Sequence, residues 1–420
     1  MNILYLHQYF IPLDGIGGTR SYEFARRLVK AGHRVTMITS SAGFPPHYRL
    51  DKAVNLLELE GIQLKVLQVS YSNHFSYLMR IKAFLSFAIK SIIKTVQEDS
   101  VDLIFATSTP LTIALPGIIG KIRHKCPLVF EVRDLWPELP IAVGALKNPL
   151  LIRMAKLLEK KAYQHSARVV ALSPGMAQGV AAAGFPPEHI AIIPNCCDVD
   201  LFRVDTSAGE KFLLAHPYLR GGDIVTYCGT LGLINGVDYL ARIAAEMRTR
   251  NPKIQFVIMG SGSRKEAVIA EAQRCGVWQN NLWVLPHMTK NEIPDLLSAT
   301  TLATSLFVDI PQMWNNSANK FFDALAAARP VAINYQGWQA DFLESSGAGI
   351  VMPADDAGQA AWAIDEFLRD KKKYNRARQA AAYAADTIFN RDFLADRLVA
   401  LLEETVHGGD SRTPSRVRNG

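Results

Sequence analysis

The sequence has little of what marks several protein classes. It carries five cysteines, at positions 126, 196, 197, 228 and 275. The number is odd, no two form a Cys-x-x-Cys pair, and no Cys/His cluster has zinc spacing. A disulfide scaffold and a zinc module are therefore excluded, and the thiols read as reduced and mostly buried. The adjacent Cys196 and Cys197 read as packing residues, because neighbouring residues seldom meet disulfide geometry. No uninterrupted apolar stretch is long enough to span a bilayer; the segment 81–96 is broken by Lys82, Lys90 and Lys94. The opening MNILYLHQYF lacks a basic leader region and a small-residue cleavage site, so it is expected to be a buried first strand. No internal repeat is visible, and no convincing Asp-x-Asp motif lies between strands to hold a metal.

What is present is ordinary for a globular α/β protein: 420 residues, 49% hydrophobic and 20% charged. At about 100–200 residues per domain this length suggests two domains. The net charge of +7 favours an anionic partner without choosing among nucleic acid, membrane and phosphate. Nucleic acid is not expected, since the basic residues are scattered and no motif of that class occurs.

Short apolar runs alternate with helical patterns, the mark of a parallel sheet. In the first half strands are expected at 2–7, 34–39, 62–69, 103–107, 128–132, 169–172 and 190–194. The domain boundary is expected near 195–220, a range that includes the polar stretch 203–220. The alternation then restarts, with strands at 224–228, 255–259, 282–285, 302–306, 330–334 and 349–351. The expected layout is an N-terminal Rossmann-like domain over 1–200 and a second over 201–390. A helix at 391–407 and a disordered Gly-, Ser- and Arg-rich tail at 408–420 follow. Ligands of such sheets bind beyond the carboxyl ends of the strands, so the loops there come first.

The loop GIGGTR follows the first strand and opens a helix. Gly17 and Gly18 would let backbone approach a phosphate, although a structural turn reads equally well. It lacks the GxGxxG spacing and a placed acid, so a nicotinamide site is not supported. VFEVRDLWPELP ends a buried strand in Glu131, Arg133, Asp134 and Glu138, ionisable groups that must be paired or used. YCGTLGLING and VIMGSGSRKE each repeat the order strand, glycine loop, helix, bringing forward Gly229, Thr230, Asn235, Gly260 and Gly262. The strongest stretch is SANKFFDALAAARPV, residues 317–331. Ser317 is expected to cap the helix that follows. Lys320 adds positive charge where a diphosphate would sit, and Asp323, three residues on, is suited to ribose hydroxyls.

At these residues the chain resembles glycosyltransferase family 4, which has the GT-B fold: two doubly wound domains facing a central cleft. The resemblance covers about residues 1–405, and the variant looks like the WbuB-like branch of amino-sugar transferases of surface polysaccharide synthesis. The family usually reads PNGVD at the junction, where IPNCCDVDLF stands here. Its last segment has a Glu, seven residues and a second Glu. Asp323 falls on the second, which the resemblance gives to ribose, and Asn315 on the first, which it gives to the donor sugar. Thr230 and Asn235 occupy the places of the family's diphosphate-binding Arg and Lys. A His often found near VRD is absent.

The resemblance implies a retaining, metal-independent transfer from a nucleotide sugar, UDP-linked, with no other cofactor, and a C-terminal helix that returns to the first domain. Arg133, Asp134 and Lys320 are the expected catalytic groups. The donor would be held by Gly17, Gly18, Gly229, Thr230, Asn235, Gly260, Gly262, His287, Asn315, Ser317, Asn319, Lys320 and Asp323. Glu138 and Arg20 are placed at the acceptor. The stretch from Tyr71 through Val96 mixes aromatic and aliphatic residues with Arg80, Lys82, Lys90 and Lys94 and contains no acid. It suits the surface of an anionic membrane, with a solvated domain helix as the alternative. The expected partner is an undecaprenyl-linked or other glycan acceptor, met in the cytoplasm or at the inner membrane. Two further functions stay open, an epimerase-like nucleotide-sugar enzyme and a noncatalytic nucleotide-sugar binder.

Overall fold

The computed structural model describes residues 1–15, 17–71 and 75–408; the tail expected to be disordered lies, from 409 on, outside the described residues. The chain forms two sheets. The first contains β1 (Asn2–Leu6), β2 (Arg34–Ser40), β3 (Val54–Leu59), β4 (Ile62–Leu67), β5 (Leu103–Thr107), β6 (Leu128–Val132), β7 (Arg168–Ala171) and β8 (Ile190–Ile192), in the order β3-β4-β2-β1-β5-β6-β7-β8. All pairings are parallel except β3 with β4. The second contains β9 (Ile224–Cys228), β10 (Gln255–Met259), β11 (Leu282–Leu285), β12 (Leu302–Ser305), β13 (Val331–Ile333) and β14 (Gly349–Val351), all parallel, in the order β11-β10-β9-β12-β13-β14.

Burial explains the strand sequences. Every residue of β5 (LIFAT) and β6 (LVFEV) is buried, because helices cover both faces of the sheet. On one face the helices Tyr77–Val96, Ala114–His124 and Pro149–His165 supply Ala83, Phe87, Ala114, Ala162 and Tyr163 to the core. On the other, the helix Arg20–Lys30 meets the last helix, Arg391–His407. Leu394, Ala395, Leu398 and Leu402, spaced along one helical face, pack against Tyr22, Phe24 and Leu28. The C-terminal helix thus rests on the N-terminal domain.

The chain crosses between domains twice, side by side. The Cys197 N–H donates to Phe389 O at 2.8 Å, and the Arg391 N–H donates to Cys197 O at 3.2 Å. The buried Arg391 guanidinium donates to Asp198 Oδ2 at 2.7 Å across the same junction. The crossing at Cys197 and Asp198 lies within the range 195–220 expected for the boundary, and the polar stretch after it is folded onto the second domain. Thr206–Ala215 is a helix that buries Phe212 against the second sheet and packs on the helix Ile293–Ala299. Asp205 caps it by accepting from the Ser207 N–H at 2.8 Å.

Candidate active site

In each sheet the strand order reverses once, between β1 and β5 and between β9 and β12, and loops from both points line one interdomain cleft. The cleft is about 760 Å³ and joins an inner chamber of about 310 Å³, the two sharing Tyr9, Gly18, Thr109 and Asn319 in their walls. A shallower depression of about 850 Å³ around Trp362 lies on the outer surface of the second domain and has no glycine loop in its wall.

Gly17 and Gly18 reach the cleft from the N-terminal domain. A Cβ on Gly18 would stand 2.5 Å from Asn319 Nδ2, so a side chain here would displace the Asn319 amide. Gly229, Thr230, Asn235, Gly262, His287, Asn319, Lys320 and Asp323 line the opposite wall. Asn235 shapes its loop by accepting from the Gly232 N–H at 3.2 Å. Gly260 is corrected: it lies behind the wall. Its φ of +155° and the 1.9 Å from a built Cβ to Gly229 O show that it lets one glycine loop pack on the other.

The helix Asn319–Ala326 opens at the cleft. Burial of Phe321, Phe322, Leu325 and Ala326 holds it against the domain core and turns Lys320 and Asp323 toward the opening. The Lys320 ammonium lies 4.5 Å from the Phe307 ring centre and 5.3 Å from that of Tyr227. Among the described residues it makes no ion pair, and desolvation lowers its pKa to about 8. Asp323 accepts from Lys290 Nζ at 2.7 Å. Burial still pushes the Asp323 carboxyl upward, with Lys290 opposing. Asp323 therefore pairs with Lys290, and Lys320 is left facing the cleft.

Two residues before this helix depart from expectation. Ser317 does not cap it; its Oγ accepts from the Asn195 N–H at 3.0 Å and ties the domains together. Asn315 does not enter the cleft. Its side chain lies against Gly175, where a Cβ would stand 1.8 Å from Asn315 Oδ1, and Ser173 Oγ donates to its carbonyl at 2.7 Å. Asn316 and Ser317 face the inner chamber instead.

The inner chamber holds Arg133 and Asp134 with His7. Arg133 Nη1 donates to His7 Nε2 at 3.2 Å, and the Arg133 N–H donates to Ser108 Oγ at 3.1 Å. Burial drives the His7 pKa well below its usual range, with the Arg133 charge acting in the same direction. Burial also raises Asp134 to about 6, against the pull of Arg133.

The two acceptor expectations are corrected. Arg20 is fully buried away from the cleft. It donates to Glu131 Oε1 from Nε at 3.0 Å and from Nη2 at 2.9 Å, and to Ile193 O at 2.8 Å. Glu138 starts the short helix Glu138–Ala142, which directs it toward Glu159. Burial first, and the Glu138 charge second, raise Glu159 to about 7.

His7 and Lys290 escaped the sequence reading. Each is a single polar residue with no motif around it. Both lie at or just after the carboxyl end of a strand, β1 and β11, and that position is the signal that could have found them.

Residues 17–196 match the family described as Glycosyl transferase 4-like domain, and residues 219–383 match Glycosyl transferases group 1. The chain is 23% identical over 252 residues to the alpha-D-kanosaminyltransferase of Streptomyces kanamyceticus. That match covers 60% of this chain and 64% of the relative, so the chain spans less than two thirds of the relative's length. Among solved structures it is similar to HepE of Anabaena in complex with UDP and glucose, with a TM-score of 0.74, 18% identity, and coverage of 96% of this chain and 100% of that one. It is similar also to sucrose-phosphate synthase of Thermosynechococcus elongatus, with a TM-score of 0.77, 16% identity, and coverage of 97% and 99%.

Proposed function

The chain belongs to glycosyltransferase family 4, with the GT-B fold, and from that premise we propose that it transfers a sugar from a UDP-sugar to a lipid-linked glycan acceptor. The observation that carries the donor half is Lys320 at the start of the Asn319–Ala326 helix, which makes no ion pair among the described residues and faces a cleft walled by glycine loops of both domains. Helix N–H groups and one desolvated ammonium together suit a diphosphate. Catalysis rests on these groups stabilising the leaving diphosphate, with no metal required. Asp323, anchored by Lys290, takes the ribose. Arg133 and Asp134, in the inner chamber, face the sugar and the incoming hydroxyl. Transfer proceeds with retention.

The Anabaena structure holds UDP and glucose, which supports a UDP-linked donor. The Streptomyces relative is named for a kanosaminyl group, which carries an amine and supports an amino sugar, including an N-acetylated one, as the group moved. The acceptor is undecaprenyl-linked in this reading, and the product belongs to bacterial surface polysaccharide made in the cytoplasm at the inner membrane, as in the WbuB-like branch. Among the described residues no helix is long and apolar enough to cross a membrane, so contact through the helix Tyr77–Val96 would be peripheral.

Thr230 and Asn235 leave the Gly229 loop without a cation, the feature that favours a noncatalytic binder. Lys290 and Lys320 in the cleft wall restore two cations and favour turnover. A thermal-shift screen of UDP-, GDP- and dTDP-sugars, followed by product analysis, tests the reading. A UDP-sugar should raise the melting temperature, and sugar should appear on the acceptor in the presence of EDTA. Free sugar or an epimer as sole product, binding without turnover, or activity abolished by EDTA would each overturn the corresponding part.

A further inference from the structure

We infer that three neighbouring helices of the N-terminal domain, rather than Tyr77–Val96 alone, form a single dock for an anionic lipid bilayer, and that this dock adjoins the mouth of the cleft. It deepens the membrane part of the proposed function and rests on it only for its purpose.

Tyr77–Val96 packs on Ala114–His124, which packs on Pro149–His165, as one layer over the first sheet. The outward faces of such helices should be polar. Here Leu78, Leu85, Ile89 and Ile93 are 75%, 45%, 60% and 50% exposed. Their spacing puts them on one stripe. On Pro149–His165, Leu150, Met154 and Leu157 are 66%, 57% and 57% exposed at the same helical spacing. Ile122, on the helix between, is 64% exposed. Single exposed leucines are ordinary, but apolar stripes on adjacent helices mark an interaction surface.

The charge selects the partner. The three helices carry ten Lys and Arg and one acid, Glu159, which is buried. Among the cations, Lys82, Arg153, Lys156 and Lys160 are exposed beside the stripes. Long basic side chains can lie along apolar surface with their charges at the headgroups, and a face apolar along its centre and basic at its sides fits an anionic bilayer. The dock also continues into the active site. Tyr71, in the cleft wall, stacks on Phe84 with ring centres 5.8 Å apart, and Phe84 meets Trp136 edge-on at 6.3 Å. An acceptor with a lipid tail therefore finds an apolar path from bilayer to cleft.

Flotation of the full chain with vesicles tests this without any sugar acceptor. The parent should float with phosphatidylglycerol vesicles and not with phosphatidylcholine, and binding should fall as salt rises. The triple variant L150S/M154S/L157S should lose at least about tenfold in vesicle partitioning. Its unfolding temperature and its UDP binding by calorimetry should stay at the parent values, since all three residues are exposed and none lines the donor cleft. A variant that floats like its parent removes Pro149–His165 from the dock. Equal flotation on neutral vesicles overturns the charge argument. A parent that ignores both vesicles and sediments as a dimer, which the variant dissolves, makes the face a contact between copies. Vesicle binding without UDP binding would support the dock while defeating the donor reading.

Discussion

The His7 imidazole accepts a hydrogen bond from the Arg133 guanidinium, Nη1 to Nε2, at 3.2 Å. A guanidinium only donates, so Nε2 holds the lone pair, and the Nδ1–H must donate to Ser21 Oγ, 2.8 Å away. Burial keeps the ring neutral. A neutral histidine from the end of β1 thus fixes the orientation of a cation carried by β6, across the point where the strand order reverses.

Loss of that support should misplace Arg133 without removing it. His7→Ala is expected to lower kcat/KM by up to about 100-fold, the scale of an ångström of misplacement. His7→Gln, whose side-chain carbonyl can still accept from Arg133, should recover part of the loss. UDP affinity by calorimetry should stay at the parent value in both. Weakened UDP binding instead would place His7 in the donor site.

Lys320 sets an alkaline limit on donor binding. Its pKa of about 8 keeps it charged below that pH, and a bound diphosphate raises it further. Binding therefore takes up a proton above pH 8, and UDP affinity should fall about tenfold for each pH unit there. Lys320→Arg stays protonated and should remove this limb. Lys320→Ala should weaken UDP at least about tenfold at pH 7 by removing a charge-assisted contact. Calorimetry between pH 7 and 9.5 checks all three.

Much of the fold was legible because strands buried on both faces carry continuous apolar runs: β5, β6, β9 and β10 have the bounds their sequences suggest, as do the less buried β11 and β14. β3 was not. Its NLLEL alternates, Leu56 is exposed, and it pairs antiparallel at the sheet edge through a tight turn at Glu60 and Gly61. The helix Thr206–Ala215 was hidden because it buries little besides Gly209 and Phe212. At the site, the glycine loops and the Asn319–Ala326 start were readable from their place after strands. Which of Asn315, Asn316 and Ser317 faces the ligand was not, because a short 3-10 turn, Pro311–Asn315, sets their directions. The Lys290–Asp323 pair joins residues 33 apart in sequence, a contact that no local pattern announces.

Asp134 should govern the acid side of the rate profile. Burial lifts its carboxyl to about 6, so lowering pH through that value removes its negative charge. If the carboxylate orients the incoming hydroxyl, kcat/KM falls about tenfold per pH unit below 6. Asp134→Asn should be slow at every pH and lack this limb. A parent-like limb in Asp134→Asn would assign it to another group, of which Glu159, near 7, is the first to test.

Arg20 is expected to hold the fold together rather than touch the acceptor. Its pair with Glu131 is fully buried, and it also donates to the carbonyls of Ile193 and Pro194 where the chain leaves the first domain. Arg20→Met would strand the Glu131 carboxylate in the interior, at a cost of about 3–5 kcal/mol. Replacing Glu131 by Met as well should return part of that, because the unpaired charge then disappears. Urea unfolding of the parent, both single variants and the double variant measures this coupling. Kinetics at a temperature where Arg20→Met stays folded separate the two roles. An unchanged KM for the acceptor agrees with a structural arginine, whereas a raised acceptor KM at parent stability would put Arg20 back at the acceptor.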